Sequence, residues 1–136
     1  MSKAFIDTNV LLYAQDPRDP ARQRISRVLI ERLQREASGV ISTQVLQEFY
    51  VIATTRFRQD PLVARGLVQA LGVFEVVLIT PGLIENAISI SVLNQISFWD
   101  ALIVSTAEAA HCEILLTEDL NHGQTIHTVR IENPFR

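Results

Sequence analysis

Short apolar runs alternate along the chain with longer segments in which apolar residues recur at helical spacing. Because parallel strands are joined through helices, this alternation predicts an α/β fold with a central parallel sheet flanked by helices. The 136 residues contain no internal repeat and no low-complexity linker, so we expect a single domain over residues 1–136. The predicted strands are residues 3–6, 39–42, 73–79, 113–117 and 127–131.

Proline and capping residues mark where the helices begin. Pro20 opens a helix that is predicted to reach about Ala37, and Thr43 is predicted to cap a helix that continues to about Thr55. The segment from Ser97 to Ala107 is apolar or small at nearly every position, which is typical of a buried helix. The other two predicted helices begin at the pairs Asp60-Pro61 and Thr80-Pro81, and the first of them ends near Gly72.

The composition favours a globular protein. Hydrophobic residues make up 48% of the chain and charged residues 20%, which argues against disorder. No window approaches ~18 consecutive apolar residues and no secretion-signal pattern opens the sequence, so we expect no membrane span and a cytoplasmic protein. The lone Cys112 cannot form an internal disulfide, and its apolar neighbours predict a buried, reduced thiol.

The basic residues exclude several enzyme classes. Lys3 is the only lysine among the 12 basic residues. P-loop enzymes, receiver domains and haloacid-dehalogenase-like phosphatases each need a lysine later in the chain, so none of them fits. The net charge of −3 provides no overall attraction for nucleic acid.

Acidic residues follow two of the predicted strands. Asp7 comes directly after the first strand and could cap the next helix, but the carboxyl ends of strands in open α/β sheets are also where ligands bind. Asp119 lies two residues beyond Thr117, at the end of another buried strand, and is placed to lie over the same sheet edge. Its neighbour Glu118 is interpreted as part of a solvated turn that closes at Gly123.

Two more acids lie early in predicted helices. Glu48 shares a helical face with apolar residues, which fits either a functional carboxylate or an acid whose stem packs at the edge of the apolar stripe. Asp100 is the only charge before Glu108 in an otherwise apolar helix, but its spacing from Ser97 also fits a capping box. Taken alone, neither residue decides between the two alternatives.

Together the four acids indicate a metal site. In a parallel sheet their positions converge on one edge, where several carboxylates need compensating positive charge. No internal lysine can supply it, and the histidines lack zinc-ligand spacing with Cys112. Oxygen ligands suit hard divalent cations, so we expect Mg²⁺ or Mn²⁺. The three histidines are His111, His122 and His127.

The ordered motifs of this chain resemble those of the PIN-domain family over essentially the whole sequence. Within that family, the short single-domain toxins called VapC are the most similar. The resemblance implies a three-layer α/β/α sandwich around a parallel sheet, a metal-dependent endoribonuclease that leaves 5′-phosphate and 3′-hydroxyl ends, a homodimer, and an antitoxin partner called VapB. The motifs are Asp7-Thr8-Asn9, Glu48, FWDALI with Asp100, and LLTEDL with Asp119.

The resemblance also implies roles for individual residues. Many relatives carry an aromatic residue shortly after the last acid, where this chain has Leu120-Asn121-His122. The positions that match supporting polar residues, which orient ligands or water, are Thr8, Asn9 and Thr117. The positions that match the catalytic acids are Asp7, Glu48, Asp100 and Asp119, and the expected metal ligands are Asp7, Asp100 and Asp119.

The first long helix is rich in arginine, whose planar guanidinium binds phosphate through two hydrogen bonds. Arg24 and Arg27 are therefore candidate contacts to an RNA substrate. Two alternatives stay open for this helix: a solvated face with ion pairs to Glu31 and Glu36, or a docking surface for an antitoxin. The arginines of the segment are Arg18, Arg22, Arg24, Arg27, Arg32 and Arg35.

The mean hydropathy of +0.20 favours apolar surface that is left over for association, which suits a homodimer. Among the aromatic residues of the second helix and its end, Phe49 is assigned to the core, and Tyr50 and Phe57 are left open between core and interface. Two other functions also stay open. One is a noncatalytic RNA- or protein-binding module with the same fold, and the other is a DNA nuclease that uses the same acids.

Overall fold

The computed structural model describes residues 2–136, in which six strands form one twisted sheet. The strand order is β3-β2-β1-β4-β6-β5, and every neighbouring pair is parallel except β5 with β6. The predicted α/β fold is confirmed, and the sheet differs from the expectation by this one antiparallel strand. The strands are β1 Lys3–Ile6, β2 Gly39–Ser42, β3 Glu75–Val77, β4 Cys112–Leu116, β5 Thr125–Ile126 and β6 Val129–Glu132.

Helices cover both faces of the sheet. Every residue of β2 is buried, which requires packing on each side of the strand. The result is the α/β/α sandwich that the sequence predicts. The helices are α1 Thr8–Tyr13, α2 Pro20–Arg35, α3 Thr43–Thr55, α4 Pro61–Ala70, α5 Pro81–Asn94 and α6 Phe98–Ala109, and a 3₁₀ turn, Leu71–Val73, follows α4.

Most predicted helix starts are confirmed by their caps. The side chains of Asp60, Thr80 and Ser97 each accept a hydrogen bond from a backbone N–H in the first turn of α4, α5 and α6, respectively. The prediction that Thr43 caps α3 is wrong. Ser42, the last residue of β2, has the extended backbone that a cap needs and accepts from the N–H of Val45, so Thr43 is the first helical residue.

Three predicted strands have different bounds in the structure. The segment 73–79 contains only the short β3, because the 3₁₀ turn carries the chain through Val73. The segment 127–131 begins too early, since His127 has a φ of 53° in the turn between β5 and β6. β4 is shifted by one residue from 113–117. The first long helix likewise ends at Arg35, and Ala37 turns the chain with a φ of 53°.

One continuous apolar core joins the sheet to its helices. Phe49 lies in this core and Cys112 is a buried free thiol, both as predicted. Gly39 of β2 lies directly under the ring of Phe74: a Cβ at this position would be 2.6 Å from Phe74 Cδ1. Among residues 2–136, no single helix combines the length and the apolar composition needed to cross a bilayer; α5 and α6 pass this test only as a pair bent by 118°.

The register of the central strands determines which residues meet beyond the sheet. Ile6 of β1 lies beside Leu116 of β4, so the next residues, Asp7 and Thr117, emerge side by side at the same edge. The N–H of Asp7 donates to the Leu116 carbonyl at 3.0 Å, which continues the ladder by one more bond. The carboxyl ends of these strands therefore bring together residues that are 110 positions apart in the chain.

Candidate active site

Asp7 is both a helix cap and a buried acid. It is the N-cap of α1, and its Oδ1 accepts from the N–H of Thr8 at 2.7 Å. Its Oδ2 accepts from the hydroxyl of Thr117 at 2.8 Å. Only 7% of the residue is exposed. The two interpretations of Asp7 from the sequence are thus compatible, because the capping geometry also fixes the carboxylate at the sheet edge.

Asn9 and Thr117 connect Asp7 to Asp119. The side-chain amide of Asn9 donates to Asp119 Oδ2 at 3.0 Å, and the N–H of Asp119 donates to Thr117 Oγ1 at 3.1 Å. The Thr117 hydroxyl therefore accepts a hydrogen bond from the backbone N–H of Asp119 and donates one to the carboxylate of Asp7. The expectation that Asp119 lies over the same edge as Asp7 is confirmed.

Glu48 reaches the same place from α3. The hydroxyl of Thr8 donates to Glu48 Oε1 at 2.7 Å, and the amide of Gln44 donates to Glu48 Oε2 at 3.3 Å. The same amide donates to the carbonyl of Trp99 at 3.3 Å, which ties α3 to the start of α6. Glu48 is thus held at both carboxylate oxygens by side chains from two helices.

Asp100 lies in the first turn of α6, where its N–H donates to Ser97 Oγ at 3.1 Å. The predicted cap by Ser97 is present, and the carboxyl group of Asp100 also lines the cleft beyond the sheet edge. That cleft has a volume of about 440 Å³. All four predicted acids line it: Asp7, Glu48, Asp100 and Asp119.

The electrostatics of this cleft oppose full ionisation of the acids. Burial raises the pKa of Asp7 to about 7, and the charges of Asp119 and Glu48 act in the same direction, although hydrogen bonds from Thr117 and Thr8 oppose the shift. Burial also raises the pKa of Asp100, with the same two charges adding to it. A bound cation would reverse this balance by favouring the ionised forms.

The donor atoms of the cleft suit a hard cation. All candidate ligands are oxygens, and the buried side-chain oxygens Asn9 Oδ1 and Gln44 Oε1 have no hydrogen-bond partner. Within residues 2–136, no three or more His, Cys, Asp or Glu side chains stand close enough to chelate an ion without moving. Because like charges repel, carboxylates without a cation are expected to stand apart, and binding of a metal ion would require them to move toward it. The oxygen donors themselves are those that Mg²⁺ or Mn²⁺ prefers.

The pKa of Asp7 predicts how metal binding depends on pH. Below about pH 7 the cation must displace a proton from Asp7, so Mg²⁺ affinity should rise by up to about tenfold per pH unit and level off above that value. Calorimetric titration with Mg²⁺ at several pH values measures this slope. The Asp7→Asn protein should bind more weakly and with a shallower slope. Equal affinity at pH values well below and above 7 would contradict the assignment of Asp7 as a ligand.

Glu118 lies in the bend after β4, as predicted, but the prediction that it is solvated is wrong. Its carboxylate accepts from the hydroxyl of Tyr13 and, at 3.3 Å, from Nε of Arg22. The hydrogen bond to Glu118 raises the pKa of Tyr13 to about 12, and the Arg22 guanidinium lies over the rings of Tyr13 and Phe135. Glu118 also lines the cleft, but these contacts direct its carboxylate to α1 and α2.

The predicted RNA contacts Arg24 and Arg27 do not line the acidic cleft. Arg24 lies beside a separate groove on α2, and Arg27 Nε donates to the Ala14 carbonyl at 2.8 Å. Their contact with RNA stays a prediction. The arginines that do line the cleft are Arg18 and Arg56. Arg56 is not among the residues predicted from the sequence, yet it lies eight residues after Glu48 on the same helical face, and this spacing could have identified it.

The PIN domain family model matches residues 4–125 of this chain. No curated protein sequence matches it. Several solved structures share the fold. A toxin–antitoxin complex from Klebsiella pneumoniae matches with 23% identity and a TM-score of 0.73, covering 97% of this chain and 98% of that chain.

Two further solved structures resemble this chain to a similar degree. A DNA-bound VapBC complex from Salmonella typhimurium has 19% identity and a TM-score of 0.72, with 98% of this chain and 99% of that chain covered. A sarcin–ricin loop cleaving VapC toxin from Mycobacterium tuberculosis has 22% identity and a TM-score of 0.67, with 83% and 87% covered. At this identity the likeness establishes the fold. The family model spans most of the sequence, and the chain therefore belongs to the PIN-domain family.

Proposed function

We propose that this protein is a Mg²⁺- or Mn²⁺-dependent endoribonuclease of the VapC type. The observation that carries the proposal is the convergence of four carboxyl groups from β1, α3, α6 and the end of β4 on one cleft. Such a site suits metal-assisted phosphodiester hydrolysis, because charge develops on the phosphate and a water must be activated next to it. The fold shared with VapC toxins supports the choice of RNA as substrate.

The predicted site residues have three kinds of role in this proposal. Asp7, Asp100 and Asp119 would hold the metal ion, which when bound lowers the pKa of a water and neutralises charge on the phosphate. Glu48, engaged at both oxygens, would orient the attacking water. Neutral donors keep the carboxylates in place: Thr8, Asn9 and Thr117.

A partner and a second copy belong to the same proposal. The solved structures with this fold include toxin–antitoxin complexes, so we propose an antitoxin of the VapB type as the partner. A homodimer is supported by exposed apolar side chains at i, i+4 and i+8 on α5, namely Ile84, Ile88 and Val92. Light scattering of the purified chain with and without the antitoxin measures both assemblies.

Cleavage of RNA in the presence and absence of metal tests the central proposal. The purified chain, free of any antitoxin, should cleave single-stranded RNA with Mg²⁺ or Mn²⁺ and lose that activity in excess EDTA, because the carboxylates alone supply no activated water. Adding Mn²⁺ beyond the EDTA concentration should restore cleavage. Gel analysis of end-labelled products checks the expected 5′-phosphate and 3′-hydroxyl ends.

The same assay separates the alternatives. Equal cleavage in EDTA would contradict the metal mechanism. Cleavage of single-stranded DNA at the same rate as RNA would favour a DNA nuclease that uses the same acids. RNA binding without cleavage under any metal condition would favour a noncatalytic module.

A further inference from the structure

Trp99 is an exposed aromatic residue directly beside the acidic cleft. It precedes Asp100 in the chain, 62% of it is exposed, and it is the only tryptophan of the protein. Phe98, which packs against the core, supports it in an edge-on contact with ring centroids 5.1 Å apart. The hydrogen bond from Gln44 to the Trp99 carbonyl fixes the backbone. The position of this large exposed ring is therefore held from two sides.

The wall of the cleft formed by α3 changes in character along its length. Residues spaced four apart on one face of this helix line the cleft, and over twelve positions they cover about 18 Å. Along the helix, the first of these residues carries an amide and lies beside Trp99, the second carries a carboxylate, the third is apolar and the fourth is a cation. The four residues are Gln44, Glu48, Ile52 and Arg56.

The cations lie at the end of the cleft away from Trp99. The Arg18 guanidinium lies 5.1 Å from the ring centroid of Phe57 and pairs with Asp16 at 2.9 Å. Arg56, at the end of α3, forms no ion pair within residues 2–136. Arg56 is thus the cation best able to bind an added phosphate. Glu48 lies on α3 between Arg56 and Gln44, the residue that is hydrogen-bonded to the Trp99 carbonyl.

An apolar groove next to Trp99 opens into the acidic cleft. Its volume is about 460 Å³, and the apolar side chains of Val51 and Ile52 of α3 line it together with Trp99. The groove and the acidic cleft share four lining residues, so they form one continuous depression. A flat aromatic group that is linked to a phosphate at the acids would reach this groove without leaving the surface. The shared residues are Gln44, Glu48, Ile52 and Trp99.

We propose that single-stranded RNA runs along α3, with an unpaired base stacked on Trp99 on one side of the scissile phosphate and a phosphate bound by Arg56 on the other. This inference rests on the proposed ribonuclease function. An aromatic platform together with a cation along the backbone is the arrangement by which proteins bind single strands with little sequence preference. Bases within a duplex are stacked on each other, so duplex RNA should not use the Trp99 groove.

The fluorescence of Trp99 tests the stacking directly, because the chain has no other tryptophan. The Asp7→Asn protein, in which cleavage should be blocked, is titrated in Mg²⁺ with a short single-stranded RNA of random sequence. We expect quenching that tracks binding measured by anisotropy of a dye on the RNA. An abasic strand of equal length should bind roughly tenfold more weakly and leave the emission unchanged. A duplex should not quench.

Substitutions separate stacking and phosphate binding from other roles. Trp99→Ala should raise KM for RNA roughly tenfold with a smaller change in kcat, and Trp99→Phe should recover most of the loss. Leu62→Ala, which trims an exposed apolar residue on α4 outside the acidic cleft, is the matched control. Arg56→Gln should reduce the salt slope of binding by about one unit, whereas Arg65→Gln, on α4 and outside the acidic cleft, should leave the slope unchanged.

Each outcome bears on the proposal separately from the ribonuclease function. If the parent cleaves RNA but the emission of the Asp7→Asn protein does not change when it binds RNA, the stacking is overturned and the function stands. If RNA quenches the emission but no metal supports cleavage, the function fails and the stacking stands. Absence of RNA binding overturns both. If Trp99→Ala alters the oligomeric state or antitoxin affinity and leaves RNA affinity unchanged, the groove binds protein and the proposal is wrong.

Discussion

Replacing Asp7 by Asn is expected to lower the rate of metal-dependent RNA cleavage by about 10³-fold or more. A metal ligand contributes several kcal/mol of transition-state stabilisation, and each ~1.4 kcal/mol corresponds to a factor of ten. Asp60→Asn is the matched control, because Asp60 is also an aspartate N-cap and lies away from the cleft, on α4. Single-turnover cleavage of labelled RNA, with equal protein and metal concentrations, measures both variants.

The same substitution should stabilise the metal-free fold at alkaline pH. The pKa of Asp7 is about 7 in the folded state and 3.8 ordinarily, so between these values the folded chain holds a proton that the unfolded chain releases. The contribution of Asp7 to the free energy of unfolding is therefore fully present below about pH 4, decreases as the pH rises, and is lost above about pH 7. The full shift corresponds to at most about 4 kcal/mol. Lost hydrogen bonds to the carboxylate would offset about 1–2 kcal/mol of that gain in the Asn variant.

We therefore expect Asp7→Asn to raise Tm by several degrees at pH 8 in EDTA, and to lose that advantage near pH 4. Mg²⁺ should raise the Tm of the parent more than that of the variant, since it stabilises only the state that binds it. Paired melting curves in Mg²⁺ and in EDTA measure these differences. A lower Tm of the variant at pH 8 in EDTA, together with retained cleavage, would show that Asp7 is only a structural cap.

Adding one methyl group at Gly39 should cause a large loss of stability. The new Cβ would lie 2.6 and 2.8 Å from two carbons of the Phe74 ring, and that ring is itself buried and cannot move without disturbing the core. Overpacking of this kind costs about 1–3 kcal/mol, so Gly39→Ala should lower Tm by roughly 3–10 °C. Chemical denaturation monitored by circular dichroism measures the change in the free energy of unfolding.

Gly66 provides the control for this prediction. It lies in α4, and a Cβ there would have no atom within 4 Å. Gly66→Ala should therefore stabilise the protein by about 0.5–1 kcal/mol, because alanine favours the helix more than glycine does. Equal stability of Gly39→Ala and the parent would mean that Phe74 can move aside and that the packing at β2 is loose.

The sequence predicted those parts of the fold that depend on interactions between residues close together in the chain. The pairs Asp60-Pro61 and Thr80-Pro81 begin helices because proline fits the first turn and the preceding side chain caps it. Topology predicted the acidic cleft, because parallel strands end at a common edge. Thr43 failed as a cap because Ser42, one residue earlier, has both the hydroxyl and the extended backbone.

Long-range contacts account for what the sequence did not predict. Glu118 follows a strand as a turn residue would, but its partners Tyr13 and Arg22 lie about one hundred positions away and no local pattern indicates them. The turn at His127 depends on a left-handed backbone that residues other than glycine seldom adopt, so the pattern favoured a longer strand. Arg56 shares a helical face with Glu48, but only the tertiary packing makes that face one wall of the cleft.

The pairing of β1 with β4 has a consequence for the newly made chain. β1 contains residues 3–6, and its neighbour β4 contains residues 112–116. At translation rates of 5–20 residues per second, Thr117 is therefore synthesised roughly 5–20 s after Asp7. Before β4 has been made and paired with β1, Asp100 and Asp119 are also not yet positioned in the cleft. A nascent chain or a prematurely terminated product that stops before β4 cannot assemble the acidic cleft, so a chain proposed to cleave RNA would be harmless to its own messenger until its synthesis is nearly complete.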